Sequence, residues 1–108
     1  NMEKLNLQHN GLSGSIPTSL AQLVNIRYLN LRLNKIDGTI PSGLENATLM
    51  ESFIVDYNQI RGTVPVGLCN NYVSGPLQEL LVDCNVKCTC CNYCFRVSRC
   101  ELTKSCNN

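Results

Sequence analysis

Ile26-x-x-Leu29-x-Leu31-x-x-Asn34-x-Ile36-x-Gly38-x-Ile40-Pro41-x-x-Leu44 is the stretch that decides the fold, because the chain carries its pattern three times. Twenty-four positions earlier the pattern reads Met2, Leu5, Leu7, Asn10, Leu12, Gly14, Ile16, Pro17 and Leu20. Twenty-four positions later it reads Met50, Phe53, Val55, Asn58, Ile60, Gly62, Val64, Pro65 and Leu68. No insertion interrupts the copies, and a fixed period in this range marks a solenoid. One repeat cannot cover its own apolar face, so each depends on neighbours stacked at both ends.

Each landmark has a physical role. In Leu29-x-Leu31 the apolar residues alternate, which predicts a short strand with both leucines on one side and Tyr28, Asn30 and Arg32 on the other. Strands from successive turns then pair in parallel at about 4.8 Å. Asn10, Asn34 and Asn58 fall where the chain leaves the strand, and an inward amide there can donate to and accept from backbone groups that have no ladder partner. Gly14, Gly38 and Gly62 supply a backbone conformation or close approach that a Cβ obstructs, and the Ile-Pro or Val-Pro pair keeps the next segment extended. The rest of each turn, such as Thr18 to Gln22, is polar with a few leucines and reads as an irregular or short helical convex side.

These residues resemble the plant-type leucine-rich repeat, L-x-x-L-x-L-x-x-N-x-L-x-G-x-I-P-x-x-L, closely from Met2 to Leu68. The resemblance implies a leucine-rich repeat solenoid of the α/β class, right-handed, with a parallel concave sheet and a second short strand around Gly-x-Ile-Pro. About four repeats and a disulfide-rich C-terminal cap are expected: repeats over residues 1–82, with strands near 4–8, 28–32, 52–56 and 79–83, then a cysteine-rich cap and tail over 83–108. It also implies an extracellular or cell-surface protein that reads peptides, proteins or glycans, as in receptor ectodomains and inhibitors of secreted hydrolases.

Composition is consistent with that class. Nine basic and eight acidic residues are scattered singly over 108, which leaves no nucleic-acid or membrane-surface footprint. No apolar run is long enough to span a bilayer. Eight cysteines in so short a chain point to an oxidising compartment. Asn1 already opens a repeat, which is expected of a piece of a longer protein or of an end covered by another subunit.

Recognition by a solenoid falls to the variable strand positions. In register these form columns: Lys4, Tyr28, Ser52 and Glu79; Asn6, Asn30, Ile54 and Leu81; Gln8, Arg32, Asp56 and Asp83. The third column sets one cation beside two carboxylates at strand spacing, a cross-strand charge ladder. Ile54 and Leu81, with Leu33 and Tyr57 beside them, form a small apolar patch on a face expected to be wet. The candidate ligand-binding residues are therefore Tyr28, Asn30, Arg32, Ile54, Asp56, Tyr57 and Leu81, all expected to point away from the core.

After Leu68 the repeat lengthens, and Leu77-x-x-Leu80-x-Val82-x-x-Asn85 restores the strand pattern with a shift of 27, a fourth and last strand. Lys87 occupies the place of Ile60, so the apolar register is expected to end there. The run Asp83-Cys84-x-x-x-Cys88-x-Cys90-Cys91-x-x-Cys94, with Leu68-Cys69 before it, resembles the C-terminal cap of extracellular leucine-rich repeat proteins of diatoms and related algae. Cys100 and Cys106 extend beyond that pattern. Disulfides joining Cys69, Cys84, Cys88, Cys90, Cys91, Cys94, Cys100 and Cys106 are the favoured reading, since an even count suits a covalent cap and each bridge typically contributes about 2–4 kcal/mol. Cys90 and Cys91 are adjacent and each is expected to find a distant partner. A thiolate metal site is disfavoured because paired C-x-x-C knuckles and a nearby histidine are missing, and the only histidine, His9, lies three strands away.

Phosphate loops and acid-base pairs are absent, so no enzymatic chemistry and no cofactor are expected. Asn46-Ala47-Thr48 is a sequon on the convex side, making Asn46 a candidate glycosylation site. Three functions fit: a non-catalytic recognition module for a protein, peptide or glycan; a structural subunit of an extracellular wall, appendage or filament whose ends meet neighbouring subunits; or an inhibitor of a secreted hydrolase.

Overall fold

A computed structural model describes residues 2–96 and 101–104. Each repeat opens with a three-residue strand, β1 (Lys4–Asn6), β3 (Tyr28–Asn30), β5 (Ser52–Ile54) and β6 (Glu79–Leu81), and these pair in parallel in that order. The register aligns Lys4 with Tyr28, Tyr28 with Ser52, and Ser52 with Glu79, which reproduces the sequence shifts of 24, 24 and 27. Alternation buries the central residues Leu29, Phe53 and Leu80, and two residues on Leu31, Val55 and Val82, in one continuous core. Leu5 and Leu7 are only half-buried, because β1 is the free edge of the sheet.

A second parallel ladder runs along the Gly-x-Ile-Pro segments, between β2 (Ser13–Ser15) and β4 (Lys35–Asp37), and a bridge between Thr63 and Lys87 continues it. Gly38 and Gly62 sit there at φ 76° and 88°, and a Cβ on either would press to 3.1 Å and 3.0 Å on the turn below. Both the conformation and the spacing therefore require glycine. Pro17, Pro41 and Pro65 hold the backbone extended, and a helix follows each. The first two are short 3-10 segments, Thr18–Gln22 and Ser42–Asn46; the third turn, longer by three residues, closes the nine-residue helix α1 (Val66–Ser74).

One expectation about the C-terminal end is corrected. The stack does not stop at Lys87: Val86 takes the buried place, while the Lys87 amide donates to the Gly62 carbonyl and the Lys87 carbonyl accepts from Val64. β6 is the fourth and last strand of the sheet, as expected, and one isolated bridge follows it. Phe95, in β7 (Cys94–Arg96), donates its amide to the Val82 carbonyl at 2.8 Å and accepts from Cys84 at 2.9 Å, adding a parallel bridge beyond β6. β7 also pairs antiparallel with β8 (Glu101–Thr103).

Three disulfides among the described residues hold this end. Cys69–Cys90 ties α1 to the cap, Cys84–Cys94 ties the chain leaving β6 to β7, and Cys88–Cys91 closes a tight loop between them. Cys90 has the distant partner expected of it, whereas Cys91 pairs only three residues away. The sulfurs of Cys69, Cys88 and Cys90 lie within 4.8 Å of one another, but all three are disulfide-bonded and offer no thiolate to a metal. Cys100 and Cys106 lie outside the described residues. No helix among the described residues is long and apolar enough to cross a membrane.

Candidate recognition face

The floor of the concave sheet is set by an asparagine ladder. Asn34 Oδ1 accepts from the amides of Asn10 and Leu12, and its Nδ2 donates to the carbonyls of Leu7 and Leu31 at 3.0 and 2.9 Å. Asn58 repeats this one turn on, accepting from Ile36 and donating to Leu31 and Val55. The ladder lets the chain turn while His9, Leu33 and Tyr57 adopt φ of 60° in equivalent places. In the next turn the acceptor is the Asp83 carboxylate, which receives the amides of Tyr57 at 2.6 Å and Asn58 at 3.0 Å. Asn85, in the asparagine register, instead donates to the Ile60 carbonyl.

Above that floor the first two predicted columns form in register. In the first, Tyr28 is 42 % exposed, its hydroxyl 3.5 Å from Glu51, and Ser52 donates to Glu79 at 2.7 Å. At the adjoining rim Arg27 reaches Glu3 at 3.0 Å and Glu51 at 2.9 Å, and those carboxylates, Glu51 foremost, raise its pKa further. In the second column Asn30 donates to Gln8 and accepts from the Arg32 amide, so both ends of its amide are engaged. Ile54 and Leu81 are register partners on adjacent strands, and both are half-buried.

The third column departs from expectation. Asp56 does not face solvent: it is fully buried, and Asp83 is 2 % exposed. Arg32 Nε donates to Asp56 Oδ2 at 2.9 Å, while Asp56 Oδ1 has no hydrogen-bond partner among the described residues. The Phe95 ring lies 5.3 Å from that of Tyr57, and the Arg32 guanidinium stands 5.3 Å from Phe95 and 5.9 Å from Tyr57. Burial pushes the Asp56 carboxyl upward against the opposing pull of Arg32, and pushes Asp83 upward against its two amide donors. Asp56 is therefore withdrawn from the ligand-contacting set, and Arg32 and Tyr57 are partly structural.

On the convex side Asn46 and Thr48 are both exposed, so the sequon is accessible. The signal missed in sequence was Phe95: it follows the last repeat, and no periodicity places it over the third column.

Comparison with known proteins agrees with this architecture. The Leucine Rich Repeat family matches residues 1–23 and 25–47. No curated protein matches the chain in sequence. Among solved structures, the plant peptide hormone receptor RGFR1 in complex with RGF2 superposes with a TM-score of 0.71 and 30% identity, over 81% of this chain and 13% of the receptor. The BIR2 ectodomain from Arabidopsis thaliana gives 0.69 and 31%, over 80% and 43%. The ectodomain of the Arabidopsis thaliana receptor kinase GASSHO1/SCHENGEN3, in complex with CASPARIAN STRIP INTEGRITY FACTOR 2, gives 0.69 and 25%, over 81% and 10%. The chain thus spans less than half the length of each of these structures. With the 24-residue repeat, the asparagine ladder and the two parallel ladders in place, the chain has the leucine-rich repeat solenoid fold, and its first two repeats match the Leucine Rich Repeat family model.

Proposed function

We propose that the chain is a non-catalytic extracellular recognition module whose concave face binds a peptide or protein. The observation that carries this reading is the concave placement of Tyr28, Ile54 and Leu81: an exposed ring on β3, and on β5 and β6 two register-paired, half-buried aliphatic side chains, none of them needed to close the core. Binding energy concentrates in a few aromatic, arginine and apolar contacts ringed by polar groups. Here Asn30, Arg32 and Tyr57 form the polar and aromatic surround, already held by hydrogen bonds, an ion pair and ring contacts. Such a face loses little entropy on binding, since its side chains are ordered beforehand. Supporting the choice of ligand class, structurally similar receptors are seen with RGF2 and with CASPARIAN STRIP INTEGRITY FACTOR 2. The disulfides support an extracellular or cell-surface setting, where Asn46 would carry a glycan away from the concave face.

The test is selection of binding peptides from a displayed random library against the whole chain, followed by titration of one selected peptide. Tyr28→Ala and Ile54→Glu should each weaken its binding by more than about fivefold with unchanged melting temperature. Unchanged affinity in both variants would refute the concave site.

A further inference from the structure

We propose that the cavity beside the outer edge of β6 is a subsite for a lysine or arginine side chain on an extended protein segment. The cavity holds about 280 Å³ and is walled by Tyr72, Glu79, Leu80, Leu81, Tyr93 and Leu102. Small-molecule sites usually enclose about 300–1,000 Å³, so this one suits a single long anchor side chain better than a whole small ligand.

The charge balance of the sheet selects a cation. Glu3 and Glu51 share Arg27, and Asp56 has Arg32. Asp83 is buried and held by two backbone amides, which leaves Glu79 as the exposed acid of this face with no ion pair among the described residues, its carboxylate held by the Ser52 hydroxyl at 2.7 Å. That hydrogen bond fixes the carboxylate without neutralising it. Two tyrosines line the same space, and the chain itself places an ammonium on one of them: Lys104 Nζ is 5.7 Å from the centroid of Tyr93. Aromatic rings attract cations through their quadrupole, and the aliphatic stem of a lysine or arginine packs on side chains such as Leu81 and Leu102.

The backbone selects an extended segment. Glu79 donates to the Glu51 carbonyl and Leu81 accepts from Val55, so residues 79 and 81 point to β5. The alternation of a parallel ladder turns the amide and carbonyl of the intervening Leu80 to the outer edge, on the cavity side. An arriving strand can pair there, as peptides do when they add to a sheet edge. Tyr93 and Leu102, 48 % and 57 % exposed, would be covered by it. The subsite adjoins the concave patch through Leu81, but neither Tyr28 nor Ile54 is among its walls.

The experiment titrates the whole chain, disulfides intact, by calorimetry with acetylated and amidated Ala-Val-Lys-Val-Ala and with the same peptide acetylated on its lysine Nε. Saturable binding of the lysine peptide is expected, weakened about fivefold or more by Nε-acetylation, by Glu79→Gln and by Tyr93→Ala, and unaltered by Tyr28→Ala. Glu79→Gln keeps an acceptor for Ser52, and both altered side chains are exposed, so circular dichroism should show the fold retained. No saturable binding, equal binding of the acetylated peptide, or indifference to Glu79→Gln would overturn the proposal. Loss of binding in Tyr28→Ala instead would move the peptide to the concave patch and equally overturn it.

Discussion

Arg32 Nε lies 2.9 Å from Asp56 Oδ2, and this pair joins a side chain on the wet face to a carboxylate with no exposure at all. Arg32 is consequently both a candidate contact for ligands and the counter-charge of a buried acid. Arg32→Leu would leave Asp56 buried without it, a change that costs several kcal/mol in a fully buried pair and less here, where the arginine is one-third exposed. A loss of about 2 kcal/mol is expected by urea denaturation. Adding Asp56→Asn should recover most of it; a double variant as unstable as Arg32→Leu alone would show that the pair is not the source.

The pH dependence follows from the same acids. Burial holds the Asp56 and Asp83 carboxyls above their ordinary range. Between the unfolded value of about 4 and those raised values, the folded chain binds more protons than the unfolded one. Stability from these two groups is therefore greatest at the acid end and falls as pH rises through the raised pKa values. The denaturation midpoint should rise on going from about pH 7 towards pH 4, and Asp56→Asn should flatten the trend. An unaltered slope in that variant would remove Asp56 from the account.

Asn34 is the most connected side chain of the turn ladder, with its amide serving the backbones of two repeats. Asn34→Leu strands those groups, the carbonyl bonds part-buried and the amide bonds exposed, and should cost about 1–2 kcal/mol. Tyr28→Ala, on the exposed face, should stay near 0.5 kcal/mol by the same thermal melt, a magnitude usual for surface changes. Similar losses in both would mean that the ladder does not carry the turns.

The repeats were legible because period and chemistry agree in them: an apolar pair fixes the strand, an asparagine the turn, a glycine the close approach. Register followed from counting, even across the three-residue lengthening before Leu77, which the structure spends on α1. The burial of Asp56 was not legible. Its position is identical in the pattern to that of Arg32, and the ring packed beside Arg32 comes from Phe95, far on in the chain, whose placement depends on β7 and the Cys84–Cys94 bridge. The pairing of Cys88 with Cys91 was hidden for a similar reason, since spacing alone leaves many pairings open.

Asn46 and Thr48 are exposed at the end of the short helix Ser42–Asn46, remote from the sheet. In a secreting eukaryotic host Asn46 should be glycosylated, and mass spectrometry of the peptide before and after glycosidase treatment checks it. A peptide entirely unmodified before treatment contradicts the assignment.

The concave face is tested most directly by amide chemical-shift mapping on the ¹⁵N-labelled chain, with a library-selected peptide added stepwise. Recognition through this face predicts perturbations centred on Tyr28, Asn30, Ile54 and Leu81, with the convex residues Val66 and Val73 unmoved. Shifts confined to the free edge at Leu5 and Leu7, or to the convex helices, would contradict it.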